Sequence, residues 1–377
     1  MISKIRICRI CPDFPPRCGG IGYNVRHLSK KMVEWGHEVT IFTRGRGLKT
    51  KFETIDGIKV FRLPFLPIPP FHVKFHGYFV NNILKRMEKQ FDLIHLHSPL
   101  VPYVESKLPK ALTLHSLWKV EIRQFPRFED LYSLYVRLFH KTFARIENRS
   151  IDNADSIITV SEAVKKELKE YGVGIENVTT IWNGVDTNLF HPGEKPPEKN
   201  ILYVGRLVTR KGLADLVECA KFIIHQRPDC VFTIVGSGLL EQKMKKRIKQ
   251  LNITNHFSFV GNVSQEKLVE YYQKAWVYVL PSYYEGLPKT LLEAMACGLP
   301  TVVTNIPGNV DVAVNGVTGV IVPPKNPKEL ALAINKILDD GDLRKRMGEA
   351  GRKRTEEVFT WDAIAKQVIK VYEDILK

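Results

Sequence analysis

The sequence predicts an α/β protein built from two Rossmann-like, doubly wound domains, and three observations point there. At 377 residues the chain has room for about two domains, since single domains run to roughly 100–200 residues. Short β-branched runs alternate with segments whose apolar residues recur every three or four positions, the rhythm of a parallel sheet covered by helices on both faces. That rhythm breaks at residues 191–200, where HPGEKPPEKN is polar and proline-rich and reads as a linker.

The elements follow in order. Residues 5–10 form a strand, 21–36 a helix with Val25, Leu28, Met32 and Val33 on one face, and 39–43 the next strand. The runs at 92–97 (DLIHLH), 111–114, 156–160 and 179–182 continue the first sheet, with long helices at 72–90 and 128–149. This assigns residues 1–190 to the first domain. In the second, 191–360, strands at 201–204, 231–235, 257–260, 277–280, 301–304 and 319–322 alternate with helices at 212–225, 239–250, 265–274 and 288–297. Residues 361–377 place Ile364, Val368, Val371 and Ile375 at helical spacing, and periodicity alone leaves their domain open. Parallel sheets take ligands at the carboxyl ends of their strands, so two such domains are expected to face across a ligand cleft.

Composition excludes several classes. With 44% hydrophobic and 25% charged residues, and 25 Gly and 22 Pro without a period, the chain is neither disordered nor collagen-like. It has no run of about 18 apolar residues, so an ordinary transmembrane helix is excluded. The N-terminus alternates apolar and charged residues and lacks the apolar core of a secretory signal. A cytoplasmic protein is expected, with any membrane contact peripheral on the inner face. Six cysteines do not make a disulfide framework. Cys8, Cys11 and Cys18 begin with a metal-like spacing but lack a fourth ligand in sequence, so they are expected as buried structural residues and no metal is expected.

The formal net charge is +16, which asks for nucleic acid, an anionic membrane surface or a phosphorylated small molecule. The excess is concentrated: residues 1–90 hold 17 basic and 6 acidic side chains. Within them, Phe71, Phe75, Tyr78, Phe79, Ile83 and Leu84 are interleaved with Lys74, Lys85, Arg86 and Lys89. Such a helix either packs its apolar face on the core with a solvated basic back or lies on a membrane surface.

Three segments carry chemistry. Gly19-Gly20-Ile21-Gly22 follows the first strand and opens a helix, which offers backbone amides to a phosphate or a sugar. Gly205-Arg206 ends a strand of the second domain and Lys211-Gly212 opens the next helix, so a guanidinium fork and a point charge can clamp a diphosphate. In PSYYEGLPKTLLEAMACGLP, residues 281–300, Pro288 suits the first helical position. Glu285 and Glu293 lie about two helical turns apart at 1.5 Å per residue. Carboxylates among apolar neighbours suit the hydroxyls of a polyol ligand.

Here the chain resembles the retaining GT-B glycosyltransferases of family 4, whose Glu-x7-Glu signature is matched by Glu285 and Glu293. The resemblance extends over PPRCGGIGYNVRHLSKKMVEWGHEV (15–39), DLIHLHSP (92–99), TLHSLW (113–118), ADSIITVSEAVKKEL (154–168), IWNGVDTNLFHP (181–192) and YVGRLVTRKG (203–212). It implies a GT-B fold whose last helix, 361–377, crosses back to the N-terminal domain. It also implies a nucleoside-diphosphate sugar as donor substrate, with no cofactor and no metal.

By the resemblance, Arg206 and Lys211 bind the diphosphate, Glu293 the ribose and Glu285 the transferred sugar. Gly20 admits the phosphates, His115 lies at the reacting face, and the backbone of Gly261, Asn262 and Val263 meets the base. The implied catalytic set is His115, Glu285, Arg206 and Lys211. The implied donor set is Gly19, Gly20, Arg206, Lys211, Gly236, Asn262, Val263, Glu285, Gly286, Leu287, Lys289, Thr290 and Glu293. Pro288 departs from the family's frequent glycine and has no N–H to give, which leaves the amides of Lys289 and Thr290. His95 and His97 are expected to be structural.

The expected activity is transfer of a hexose with retention to an acceptor hydroxyl, the acceptor being a lipid phosphate or glycolipid at an anionic surface. A phosphorylase or a nucleotide-sugar epimerase on the same fold is the alternative. Nucleic acid is not expected as a partner, since no recognised module is present, and the oligomeric state is left open.

Overall fold

The computed structural model describes residues 4–16, 18–68, 71–99, 101–124 and 131–377. Arg17 and the first residues of the helix expected at 128–149 lie outside the described residues. The chain divides into two compact units, one made of residues up to Asn183 together with Trp361–Lys377, the other of Gly184–Thr360.

The first unit is an eight-stranded sheet of β1 (Arg6–Ile10), β2 (Glu38–Arg44), β3 (Lys51–Ile55), β4 (Ile58–Leu63), β5 (Leu93–His97), β6 (Lys110–Leu114), β7 (Ser156–Thr159) and β8 (Val178–Thr180), in the order β3-β4-β2-β1-β5-β6-β7-β8. Around it lie α1 (Gly20–Glu34), α2 (His72–Met87), α3 (Trp118–Gln124), α4 (Leu131–Asp152) and α5 (Glu162–Glu170). Seven strands run parallel. The exception is β3, antiparallel to β4 at the sheet edge, in a hairpin absent from the elements expected above. Its turn is Asp56-Gly57, with φ of 53° and 76°, the pair of positive dihedrals that Asp-Gly supplies in two-residue hairpins.

The second unit is a six-stranded sheet of β9 (Lys199–Val204), β10 (Cys230–Val235), β11 (Phe257–Gly261), β12 (Val277–Leu280), β13 (Thr301–Thr304) and β14 (Gly319–Val322), in the order β11-β10-β9-β12-β13-β14. Every pairing in it is parallel. Its helices are α6 (Leu213–Gln226), α7 (Glu241–Gln250), α8 (Gln265–Lys274), α9 (Lys289–Ala296), α10 (Pro307–Val310), α11 (Pro327–Asp339) and α12 (Gly341–Val358). The inner strands β9, β10, β12 and β13 are almost wholly buried on both faces, as a sheet sandwiched by helices requires. Strand order reverses beside β9, between it and β12, and in an open α/β sheet that switch point is where ligands bind.

The last helix, α13 (Trp361–Ile375), belongs to the first unit, as the resemblance implies. Trp361, Ile364, Ala365, Val368, Ile369, Val371 and Tyr372 enter the same core as Val25, Leu28 and Met32 of α1. Each large apolar side chain so buried contributes about 1.5–3 kcal/mol. The helix also meets a polar layer. Arg9 is fully buried and donates to the hydroxyls of Ser29 at 3.2 Å and Tyr372 at 2.9 Å. The Tyr372 hydroxyl in turn meets His95 Nδ1 at 2.5 Å, and His95 Nε2 meets Thr113 Oγ1 at 2.7 Å.

Candidate functional site

At the switch point of the second unit, β9 delivers Gly205 and Arg206, and the short turn Thr209–Lys211 delivers Lys211. Gly212 follows with φ of 68°. A Cβ there would stand 1.9 Å from the carbonyl oxygen of Pro281, so only glycine lets the Lys211 turn press against the end of β12. From β12 comes the loop of Ser282 and Glu285. Lys211 Nζ donates to both carboxylate oxygens of Glu285, at 2.6 and 2.8 Å, and Ser282 Oγ donates to Oε1 at 2.7 Å.

Burial pushes the Lys211 ammonium below its usual pKa while the charge of Glu285 pulls it back up. Arg206 is exposed, and its carbonyl accepts from the buried Tyr203 hydroxyl at 3.1 Å.

The neighbouring strand ends complete the arrangement. Gly236, after β10, donates from its amide to the Gly261 carbonyl at 2.8 Å, and Asn262 Nδ2 donates to Ser237 Oγ at 2.8 Å. Val263 is half-buried beside them. Gly286 and Leu287 carry the chain to Pro288, which caps α9, so the helix begins at Lys289 and not at the proline. Thr290 Oγ1 accepts from the Tyr278 hydroxyl at 2.7 Å. Glu293 is buried; its Oε2 accepts from the Tyr272 hydroxyl at 2.9 Å and its Oε1 lies 3.3 Å from Lys289 Nζ. Each glutamate thus meets a lysine and a hydroxyl, Glu285 the more buried Lys211 with Ser282 and Glu293 the less buried Lys289 with Tyr272.

In the first unit, Gly19 caps α1 and Gly20 is its first residue. The Gly19 amide is already taken, since it donates to Asp13 Oδ2 at 2.6 Å. Asp13 is a residue that the glycine pattern alone does not single out. His115 follows β6, and its ring stacks on His97 at 5.8 Å, which lies 4.2 Å from His95. Burial holds His115 at a pKa of about 4 and His95 and His97 well below 6.5, so the three rings are neutral near pH 7. His115 Nε2 and both nitrogens of His97 are buried without a partner among the described residues.

Helix α2 buries Val73, His76, Val80 and Leu84. It exposes Tyr78, Lys74, Lys85 and Arg86, and Phe71 just before it and Lys89 just after it are exposed as well, Phe71 and Tyr78 each by 65%. Both sequence readings of this helix thus have a face, a core side and an aromatic, basic outer side. Cys8 and Cys11 are buried, and burial lifts the Cys11 thiol to about 12, the mark of a structural rather than a reactive sulfur. Among the described residues, no group of three or more His, Cys, Asp or Glu is placed to hold a metal ion, and no helix is long and apolar enough to cross a membrane.

Two doubly wound sheets in one chain, with a cation and a carboxylate paired at the switch point of the second and the last helix returned to the first, are what the resemblance to the GT-B glycosyltransferases implies. Known proteins agree: residues 185–354 match the model of "Glycosyl transferases group 1" and residues 18–189 that of "Glycosyltransferase Family 4". The chain belongs to this family of group 1 glycosyltransferases. It is 28% identical to an uncharacterized glycosyltransferase of Methanocaldococcus jannaschii, over 98% of each chain. Sucrose-phosphate synthase from Thermosynechococcus elongatus superposes with a TM-score of 0.84 at 25% identity, covering 99% of each chain. The Anabaena protein HepE, in complex with UDP and glucose, shares the fold with a TM-score of 0.76 at 18% identity, over 98% of this chain and 100% of that one.

Proposed function

We propose that this glycosyltransferase moves a hexose from a nucleoside-diphosphate sugar to an acceptor hydroxyl with retention of anomeric configuration and without a metal ion. The observation that carries the reading is the buried Lys211–Glu285 pair at the switch point, with Arg206 on the adjoining strand end. Breaking the bond between the anomeric carbon and the phosphate oxygen builds positive charge on the sugar and negative charge on the departing diphosphate. Fixed cations are therefore the main catalytic need. Arg206 and Lys211 supply them, and Glu285 accepts from the hydroxyls of the transferred sugar. Glu293 holds the ribose, the segment Gly261–Val263 and Gly236 line the base, and the amides and charge of Lys289 and Thr290 reach the phosphates. His115, neutral, offers its free nitrogen to the sugar. The acceptor oxygen attacks from the face that the phosphate leaves, and the departing phosphate takes the acceptor's proton.

The acceptor is assigned to the first unit and is anionic or lipid-linked, because 17 of the 56 basic residues lie in the first 90 positions and α2 turns aromatic and basic side chains outward. Transfer assayed across uridine, guanosine and adenosine diphosphate sugars, with the product anomer read by NMR and excess chelator present, tests the donor half. Inversion at the anomeric carbon, or loss of turnover with chelator, defeats it. Cosedimentation with liposomes that is indifferent to their anionic lipid content defeats the acceptor half.

A further inference from the structure

Glu285 rests on a buried column of hydrogen bonds that reaches the neighbouring strand. Its Oε1 accepts from Lys211 Nζ and Ser282 Oγ, whereas Oε2 accepts from Lys211 alone among the described residues. A carboxylate oxygen has about two lone-pair sites. Oε1 is thus filled, and Oε2 keeps one site open. The Ser282 carbonyl accepts from Thr304 Oγ1 at 2.5 Å, and the Thr304 carbonyl and hydroxyl receive Asn309 Nδ2 at 3.0 and 3.1 Å. Ser282, Thr304 and Asn309 are all buried.

The backbone agrees with this column. A Cβ on Gly308 would stand 2.4 Å from the carbonyl oxygen of Glu285 and 2.7 Å from that of Gly286, so the turn that carries Asn309 lies directly on the Glu285 loop. Asn309 Oδ1 is buried with no partner among the described residues. An idle buried oxygen is a cost that an apolar residue of similar shape would avoid. The amide nitrogen of Asn309 nonetheless bonds Thr304 twice, and through Thr304 it bears on the alignment of Ser282 with Glu285.

We propose that Ser282, Thr304 and Asn309 are positioning residues for glycosyl transfer. Ser282 occupies Oε1 of Glu285, so that Oε2 receives a hydroxyl of the transferred sugar, and Thr304 with Asn309 holds Ser282 in register. The inference rests on the reading of Glu285 as the carboxylate that binds the transferred sugar. Ser282 bonds Glu285 directly and reaches Lys211 only through it, so turnover and diphosphate affinity are measured separately.

Ser282→Ala and Thr304→Val are expected to lower turnover by about 10–100-fold, the scale of a misplaced reacting group. Affinity for the nucleoside diphosphate that the wild type binds best among those of uridine, guanosine and adenosine is expected to stay unchanged in calorimetry. Thr304→Ser, which keeps the hydroxyl, restores turnover. Should Thr304→Val not fold, Ser282→Ala alone carries the comparison, since it deletes a single oxygen. Equal losses in turnover and diphosphate affinity, or no recovery with Thr304→Ser, overturn the proposal in favour of a merely structural column. Wild-type turnover in Ser282→Ala beside an inactive Glu285→Ala overturns it alone, whereas full activity in Glu285→Ala removes the proposed function beneath it.

Discussion

Lys211→Met removes half of an ion pair whose two side chains are only 14% and 7% exposed. Glu285 then keeps the Ser282 hydroxyl as its remaining donor. Stranding one partner of a buried pair costs about 3–5 kcal/mol. The variant is therefore expected to lose about 3–5 kcal/mol of unfolding free energy.

Lys211→Met/Glu285→Leu, which removes both charges, is expected to regain most of that stability, because apolar replacements of a buried pair are often neutral or stabilising. Neither variant is expected to transfer sugar at more than about a hundredth of the wild-type rate, the loss typical of deleting a fixed charge-stabilising group. Urea unfolding gives the free energies, and transfer kinetics give the rates. A single variant as stable as the wild type, or a double variant less stable than the single, would refute the reasoning.

Other outcomes follow from the same structure. Tyr372→Phe deletes the hydroxyl between Arg9 and His95 and is expected to cost about 1–3 kcal/mol, seen as a fall in Tm; an unchanged Tm would mean that this layer does not seat α13. Burial holds His76 and His115 at about 4 and His95 and His97 well below 6.5. The unfolded chain thus binds more protons below pH 6.5, and stability is expected to fall as pH drops from about 6.5 through about 4; thermal melts flat over that window would count against it, and His76→Gln is expected to soften the slope. Gly212→Ala combines a φ of 68° with a Cβ 1.9 Å from the Pro281 oxygen. A loss of about 2–5 kcal/mol is expected, together with slower transfer as the Lys211 turn shifts, and wild-type Tm and kinetics would sink it.

Much of the fold is legible in the chain because alternating β-branched and amphipathic segments are local signals. The β3–β4 hairpin escapes that rhythm, since it is an edge addition with no helix between its strands. Asp56-Gly57 between alternating residues is the signal that marks it. Ser282, Thr304, Asn309 and Asp13 carry no motif of their own. What distinguishes them is burial and the direction of one hydroxyl, amide or carboxylate, which no spacing rule contains.

The sequence by itself determined the class of this protein: two doubly wound sheets, cations at a strand end, paired glutamates beside a helix start, and a positive excess in the first quarter. Those properties depend on residues within a few positions of one another. The tertiary structure alone decided which of them meet. Lys211 and Glu285 are 74 residues apart and share a hydrogen bond because β9 and β12 are neighbours across the switch point. Tyr372 reaches His95 over 277 residues because α13 packs into the core of the first unit. Periodicity encodes the elements, but the order in which strands lie side by side follows from burying all their apolar faces at once, and that is a property of the whole fold.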